Sequence, residues 1–516
     1  MKSPFVVLGL LLVLAGSAFG EEYLESACQS NLQNDLANII EVDDVDGDGV
    51  PNILVGTSIN GVLYNYIYKG ANCRVEWSAL DSNGWSFNTR GDVKSVYSGD
   101  IDLDDRGEVA VNSVKSTHPK SQQPSEYVWV ISGDNALVDW NFDKECGLTH
   151  SIYAADIDGT GVLNVIMGAH SGKICALKDD TKQKTPVLWS YDTKRHPIYF
   201  VKTGDLNGDG NLETVALSSK YGEAYVIAVS STGTLLWEQK IDGGVYTPAI
   251  AGNIMDVTDL EGDGKAEIIV GTFENGAIVY NGDGSIRWSS EKGKLVSSIL
   301  ATDLDGGTDE VLVGSSPTVT ALDSNGNVKW RWTAPLDNTI NSMSAYDIDG
   351  DGKKEVAVGK TRYIRVLDDN GMLKGGWQYL VEIQGSDKKY EERDASAVAV
   401  YMGDLDSDGD AEVAAAWNWE EDTIVGNKYS ADIRVYEINK DYAPTTSTVY
   451  TPPSTATQHT TVTTHPPTTL YQPPTTTLYE EDDDAGGGIC CIPMLPAILA
   501  IAVAIAARLP LACGKY

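Results

Sequence analysis

Eight times along the chain, acidic residues recur at alternate positions beside glycine. The stretches are DVDGDGVPN from Asp44, DIDLDDRGE from Asp100, DIDGTGVLN from Asp156, DLNGDGNLE from Asp205, DLEGDGKAE from Asp259, DLDGGTDE from Asp303, DIDGDGKKE from Asp347 and DLDSDGDAE from Asp404. Alternation brings the side chains at positions one, three and five of a tight loop to one point, and glycine at position six lets the chain turn sharply enough. Calcium takes about six to eight oxygens at roughly 2.3 to 2.6 Å, so the chemistry that this pattern serves is the binding of a hard divalent cation. Asp and Gly also favour ordinary turns. One such loop would say little; matched spacing repeated along the chain argues for the metal.

The loops recur every 44 to 57 residues, the length of one propeller blade. The text between them divides into four short strands. In the cleanest unit SSILATD (297–303) enters the loop, DEVLVGS (309–315) leaves it, TVTALDSNG (318–326) follows and VKWRW (328–332) closes. These segments are β-branched and alternating, with NG and DG turns, and none has helical period. The expected fold is all-β, an eight-bladed β-propeller, with seven blades and one degenerate unit as the alternative. A Trp recurs in the closing strand at Trp77, Trp140, Trp189, Trp237, Trp288 and Trp330. Its regular placement points to packing between blades rather than to sugar stacking. The last unit has three strands before a Thr/Pro-rich segment begins, and residues 22–32 would supply its fourth, sealing the ring from both ends of the chain.

The loop followed by EVxVG resembles the FG-GAP repeats of integrin α-subunit propellers, and the Trp strands are similar to quinoprotein-like (PQQ-like) repeats. The resemblance covers roughly Asp44 to Asn439, and it implies a backbone carbonyl ligand at position seven and an acidic ligand at position nine. Carried over residue by residue, the sets are Asp205, Asn207, Asp209, Asn211 and Glu213; Asp259, Glu261, Asp263, Lys265 and Glu267; Asp347, Asp349, Asp351, Lys353 and Glu355; and Asp404, Asp406, Asp408, Asp410 and Glu412. Asp44, Asp46 and Asp48 have the neutral Asn52 in ninth place, which weakens that site. The loops at Asp100, Asp156 and Asp303 lack a glycine or a carboxylate at the usual place. EF-hands share the first half of the pattern, but a helix follows their loops, whereas ILVG, EIIVG and EVAVG are strands.

The ends of the chain place it. Lys2, the apolar run Phe5 to Leu14 and the small residues Ala18 and Gly20 read as a secretory signal peptide over residues 1–20. The propeller then takes 21–441. A Thr/Pro-rich stalk with an acidic spacer follows over 442–485, expected to be disordered and O-glycosylated. Residues 486–510 form one C-terminal transmembrane anchor, and 511–516 a short cytoplasmic tail, with Arg508 and Lys515 on the inner side. Cys28, Cys73, Cys146 and Cys175 lie in the folded part, where two disulfides have three connectivities.

A net charge of −36 argues against nucleic acid as a partner. No HExxH, GxSxG or P-loop is present, and two of the six histidines, His459 and His465, lie in the stalk. The expected function is a calcium-stabilised cell-surface binding or adhesion protein that recognises an extracellular glycan or protein. Its rivals are a polysaccharide-active or quinone-dependent enzyme, whose polar residues would gather in the central channel, and a structural component of the cell envelope. Long insertions (114–126, 192–197, 382–394, 420–428) fall on the face opposite the loops. They gather Lys120, Lys194, Arg195, His196, Lys388, Lys389 and Arg393, a ligand face suited to an acidic partner.

Overall fold

A computed structural model describes residues 23–439 apart from short internal stretches, the longest being 69–84, 115–126, 179–186, 246–252 and 383–389. The expected signal peptide, stalk, anchor and tail lie outside the described residues.

Eight four-stranded antiparallel sheets make the ring, and seven of them use consecutive strands in sequence order. Blade 6 is representative, with Val296–Thr302, Glu310–Ser315, Thr318–Leu322 and Val328–Thr333. The first strands of successive blades pack against one another right round the circle, including Ser396–Gly403 of blade 8 against Ala37–Asp43 of blade 1. The count is therefore eight rather than seven. First strands line the central channel and second strands lie inside the blade stack. That explains the apolar runs after each loop, because Glu267–Gly271, Glu310–Ser315 and Glu355–Lys360 are buried along their whole length.

The glycine of the VG pair has a packing reason. A Cβ on Gly271 would lie 2.5 Å from Val296 Cγ1, and one on Gly314 would lie 2.9 Å from Ile340 Cγ2. In each case a branched side chain from the next blade's first strand fills the place where the glycine has none. Blade contact is thereby written into the repeat itself.

Trp189, Trp237, Trp288 and Trp330 of the fourth strands pack between blades, as expected from their regularity, whereas Trp77 and the Trp140 side chain lie outside the described residues. Trp237 Nε1 donates to Gly282 O (2.8 Å), Trp288 Nε1 to Ser324 O (3.0 Å) and Trp330 Nε1 to Asp369 O (2.7 Å), each time on the third-to-fourth turn of the following blade. Blade 8 closes with Leu24–Gln33 added beside Gly426–Ile438, in register from Leu24–Ile438 to Gln33–Ser430. Among the four cysteines of the folded part, Cys146 and Cys175 are joined in a disulfide, and both are buried between blades 2 and 3.

Candidate functional site

Every acidic loop connects the first strand of a blade to its second, so all eight lie on one face. Two side chains build each loop. The first Asp accepts backbone N–H groups across the turn: Asp205 takes those of Gly208 and Gly210 (both 2.7 Å), and Asp404 those of Asp408 (3.1 Å) and Gly409 (3.0 Å). The ninth residue holds the other end. One side-chain oxygen accepts the N–H of position two, as from Leu206 to Glu213 (3.0 Å) and from Leu405 to Glu412 (2.8 Å). The same contact recurs in the six other blades, through Asn52, Glu108, Asn164, Glu267, Glu310 and Glu355. Where the ninth role falls to Glu, the second oxygen is left facing position three, as Glu213 Oε1 is toward Asn207 and Glu267 toward Glu261. At position seven, Asn211, Lys265, Lys353 and Asp410 donate their N–H to the fifth-position Asp at 2.8 to 2.9 Å.

Carboxylates converge in several of these loops closely enough to hold a metal ion: Asp44, Asp46 and Asp48; Asp100, Asp102 and Glu108; Asp259, Glu261 and Glu267; Asp303, Asp305 and Glu310; Asp347, Asp349 and Asp351. Two of these loops, at Asp100 and Asp303, looked incomplete in sequence. The loop at Asp303 is one residue shorter, and Glu310 still reaches the N–H of Leu304 (2.9 Å), so it fills the ninth role from the eighth place.

The electrostatics of the loops favour a cation. Burial, with Asp406, Asp408 and Asp404 beside it, pushes the Glu412 carboxyl up to about 8. Burial and then the neighbouring Asp102 and Asp104 push Glu108 up to about 7. In blade 8, Asp406 Oδ1 is buried without a hydrogen-bond partner. A bound divalent ion supplies the positive charge and the oxygen partner that this arrangement calls for, so the donor set fits.

Asn52 and Asn164 differ in kind. Their Oδ1 atoms are occupied by the N–H of Val45 (2.9 Å) and Ile157 (3.1 Å), which turns an amide Nδ2 toward the loop, buried and without a partner. An N–H₂ donor cannot ligate a cation.

In three loops a cation of the protein itself reaches both the third-position and the ninth-role carboxylate. Arg287 Nη1 stands 2.5 Å from Glu261 and 3.5 Å from Glu267; Lys329 Nζ stands 2.5 Å from Asp305 and 2.6 Å from Glu310; Lys374 Nζ stands 3.0 Å from Asp349 and 2.6 Å from Glu355. All three bases lie on fourth strands, outside the loop motif, and no role for them was legible in the sequence.

The central channel holds a second constellation outside the loop motif. The residue three places before each first Asp is half-buried in all eight blades: Glu41, Tyr97, Tyr153, Lys202, Asp256, Leu300, Ser344 and Tyr401. Lys202 Nζ pairs with Asp256 Oδ1 across adjacent blades at 2.7 Å, and Tyr97 meets Tyr153 edge-on at 5.4 Å. Burial, then Asp43, raises Glu41 to about 7. The fixed offset from the loop was the signal, since the fold asks the same of all eight positions and yet their chemistry differs.

On the opposite face, Lys194 pairs with Asp192 and Arg195 with Glu238, the latter guanidinium lying 4.2 Å over the Tyr225 ring. Lys120, His196, Lys388, Lys389 and Arg393 lie outside the described residues.

Residues 347–415 match the FG-GAP-like repeat. No curated protein matches the chain. Among solved structures, Sqt1 from Chaetomium thermophilum is similar with a TM-score of 0.51 at 10% identity, covering 81% of this chain and 100% of that one. The V. cholerae biofilm matrix protein Bap1 is similar at 16% identity and a TM-score of 0.48 over 82% of this chain and 90% of that one. The computationally designed Ika8 protein follows at 12% identity and 0.48, over 82% and 100%. At these identities the likeness is one of fold alone.

Proposed function

From the premise that the chain is an eight-bladed β-propeller of FG-GAP-like repeats, we propose that it is a calcium-stabilised cell-surface binding or adhesion protein. Its C-terminal helix sits in the membrane, and its propeller recognises an extracellular glycan or protein. The observation that carries this reading is the division of labour between the faces. One face is given over to short carboxylate loops and the turns that lock the blades, which leaves the opposite face to meet a partner. The chain leaves the propeller after Gly426–Ile438, a third strand, and third strands end on the loop face.

Two measurements test it. Calcium bound only by the native state adds about 2.7 kcal/mol per site at a hundredfold excess over Kd, so the melting temperature falls in EDTA; an unchanged value removes calcium from the account. Replacing 114–126 and 382–394 with short Gly/Asn turns abolishes binding to cells or to a glycan array while calcium affinity holds. Undiminished binding removes that face as the ligand site.

A polysaccharide-active or quinone-dependent enzyme is the second reading, favoured by the channel ring, where Glu41 is held near neutrality beside Tyr97, Tyr153 and Lys202. Depolymerisation of a uronate-containing polysaccharide by the wild type, lost in E41Q, moves the assignment to that reading.

A further inference from the structure

In seven of the eight blades the described residues of the fourth strand include one extra residue where it pairs with the third, and in three of these that residue is a base that reaches the blade's own acidic loop. In blade 5, Tyr280 pairs with Ile286 and Val279 with Trp288, which leaves Arg287 out of step. Blade 6 pairs Leu322 with Val328 and Ala321 with Trp330 and leaves Lys329; blade 7 pairs Leu367 with Leu373 and Val366 with Gly375 and leaves Lys374. A bulge re-aims the side chain of its extra residue. Here the bulge points each base between the third-position and ninth-role carboxylates of the loop, the distances being those given above.

The same bulge occurs where the extra residue has no charge. In blade 4, Val229 pairs with Leu235 and Ala228 with Trp237, leaving Leu236. In blade 8, the added strand pairs Ser26 with Tyr436 and Cys28 with Val435, leaving Ala27. Both of these blades have the full run of oxygen side chains at positions one, three, five and nine.

We propose that the bulge residue decides which loops take calcium. Arg287, Lys329 and Lys374 are tethered cations that satisfy the loops of blades 5, 6 and 7 in place of metal, and calcium goes to loops without one, those of blades 4 and 8 foremost. The proposal rests on the calcium reading above and narrows it. A tethered base is present at high effective concentration and donates charge-assisted hydrogen bonds to both carboxylates. A divalent ion entering such a loop has to displace that base and take over two oxygens already paired. The ninth-role partners Glu267, Glu310 and Glu355 are 2 to 3% exposed, so in these blades the base is the countercharge of a buried carboxylate. Blade 3 reaches a similar state by another route, because its bulge residue is Leu188 and Lys178 pairs with Asp158 at 2.9 Å.

The test counts calcium per molecule by atomic emission on the dialysed full-length protein, comparing the wild type with L236K and with R287L/K329L/K374L. L236K loses one ion, and the triple variant gains ions. Equal counts among calcium-binding proteins overturn the selection while leaving the calcium reading intact, whereas a wild type that binds no calcium overturns both. L236K leaves every native ion pair in place, so it reads the selection even where the triple variant does not fold. A second arm uses no calcium. In EDTA the triple variant melts several degrees below the wild type, because three buried carboxylates have lost their partners; an equal melting temperature overturns the role of the tethered cations.

Discussion

At the scale of the residue, the carboxylates at positions one, three and five were legible because their spacing alone makes them converge. The ninth residue was half-legible. Its use as a ligand follows from the repeat, but its first duty, capping the N–H of position two, needs the folded loop. That duty decides the outcome at Asn52, where the oxygen is spent on Val45 and the amide nitrogen faces inward. Asn52→Asp therefore restores a ligand oxygen, and calcium titration should find the loop at Asp44 tightened on the order of tenfold, about 1.4 kcal/mol. In EDTA the same change destabilises, since a further carboxylate joins Asp44, Asp46 and Asp48; unchanged affinity would show that Asn52 does not face the ion. A second residue-scale effect belongs to His150, whose ring nitrogen lies 2.8 Å from that of His170. Burial, then His170 and Lys94, lowers His150 to about 4. With the folded pKa below the unfolded value near 6.5, the unfolded chain takes up the proton first, so stability present above pH 6.5 is lost as the pH falls toward 4. Thermal melts from pH 7 to 4 should show a smaller loss in His150→Phe than in the wild type, and parallel curves would exclude this histidine.

At the scale of the element, strands, turns and the Trp stripe could be read because each rests on local pattern: alternation, NG and DG pairs, and a fixed place in every unit. The bulge could not. It depends on how the third and fourth strands register, and so Arg287 and Lys329, plainly visible as IRW and VKW, had no assigned partner. The channel ring was missed for a related reason, since a position varying within a repeat reads as drift until the ring places it inside a pore. The contact between Trp and turn is specific enough to test. Gly326 has φ +82° and a Cβ there would lie 2.7 Å from Trp288, whereas Gly352 has φ +83° with open space around it. Gly352→Ala should cost only the left-handed strain, about 1 to 2 kcal/mol. Gly326→Ala carries that strain and also displaces the indole, for about 2 to 4 kcal/mol in all. Chemical denaturation of the two variants separates the terms, and equal losses would mean that the indole moves aside freely.

At the scale of the whole molecule, closure governs stability, because a propeller with one missing strand has an unpaired edge where blade 8 should end. The missing strand was foreseeable from a simple count, three strands before the Thr/Pro-rich segment and an unassigned run near the start. The structure places Leu24–Gln33 there, from the far end of the chain. The seam is built as core rather than as a tail. Tyr23 and Leu24 are buried in the cluster that joins blades 7 and 8, and a Cβ on Gly375 would lie 2.3 Å from Tyr23 Cβ, so the glycine of blade 7 exists to receive that tyrosine. Polar contacts run along the same strand: Asn31 Nδ2 donates to Asp432 Oδ1 at 2.7 Å and Gln29 Nε2 to Asp432 Oδ2 at 3.2 Å, with Asp432 itself buried. Removing residues 23–33 therefore exposes the apolar flank of blade 8, strips partners from a buried carboxylate and leaves the backbone of Gly426–Ile438 unpaired on its outer side. The truncated protein should melt far below the intact propeller and associate with itself through the bare edge. Adding a synthetic peptide of residues 23–33 should restore much of the loss by re-forming the strand. A truncation that melts with the parent and stays monomeric would mean that the ring holds without its seam, and that contacts between first strands around the channel are enough to close it.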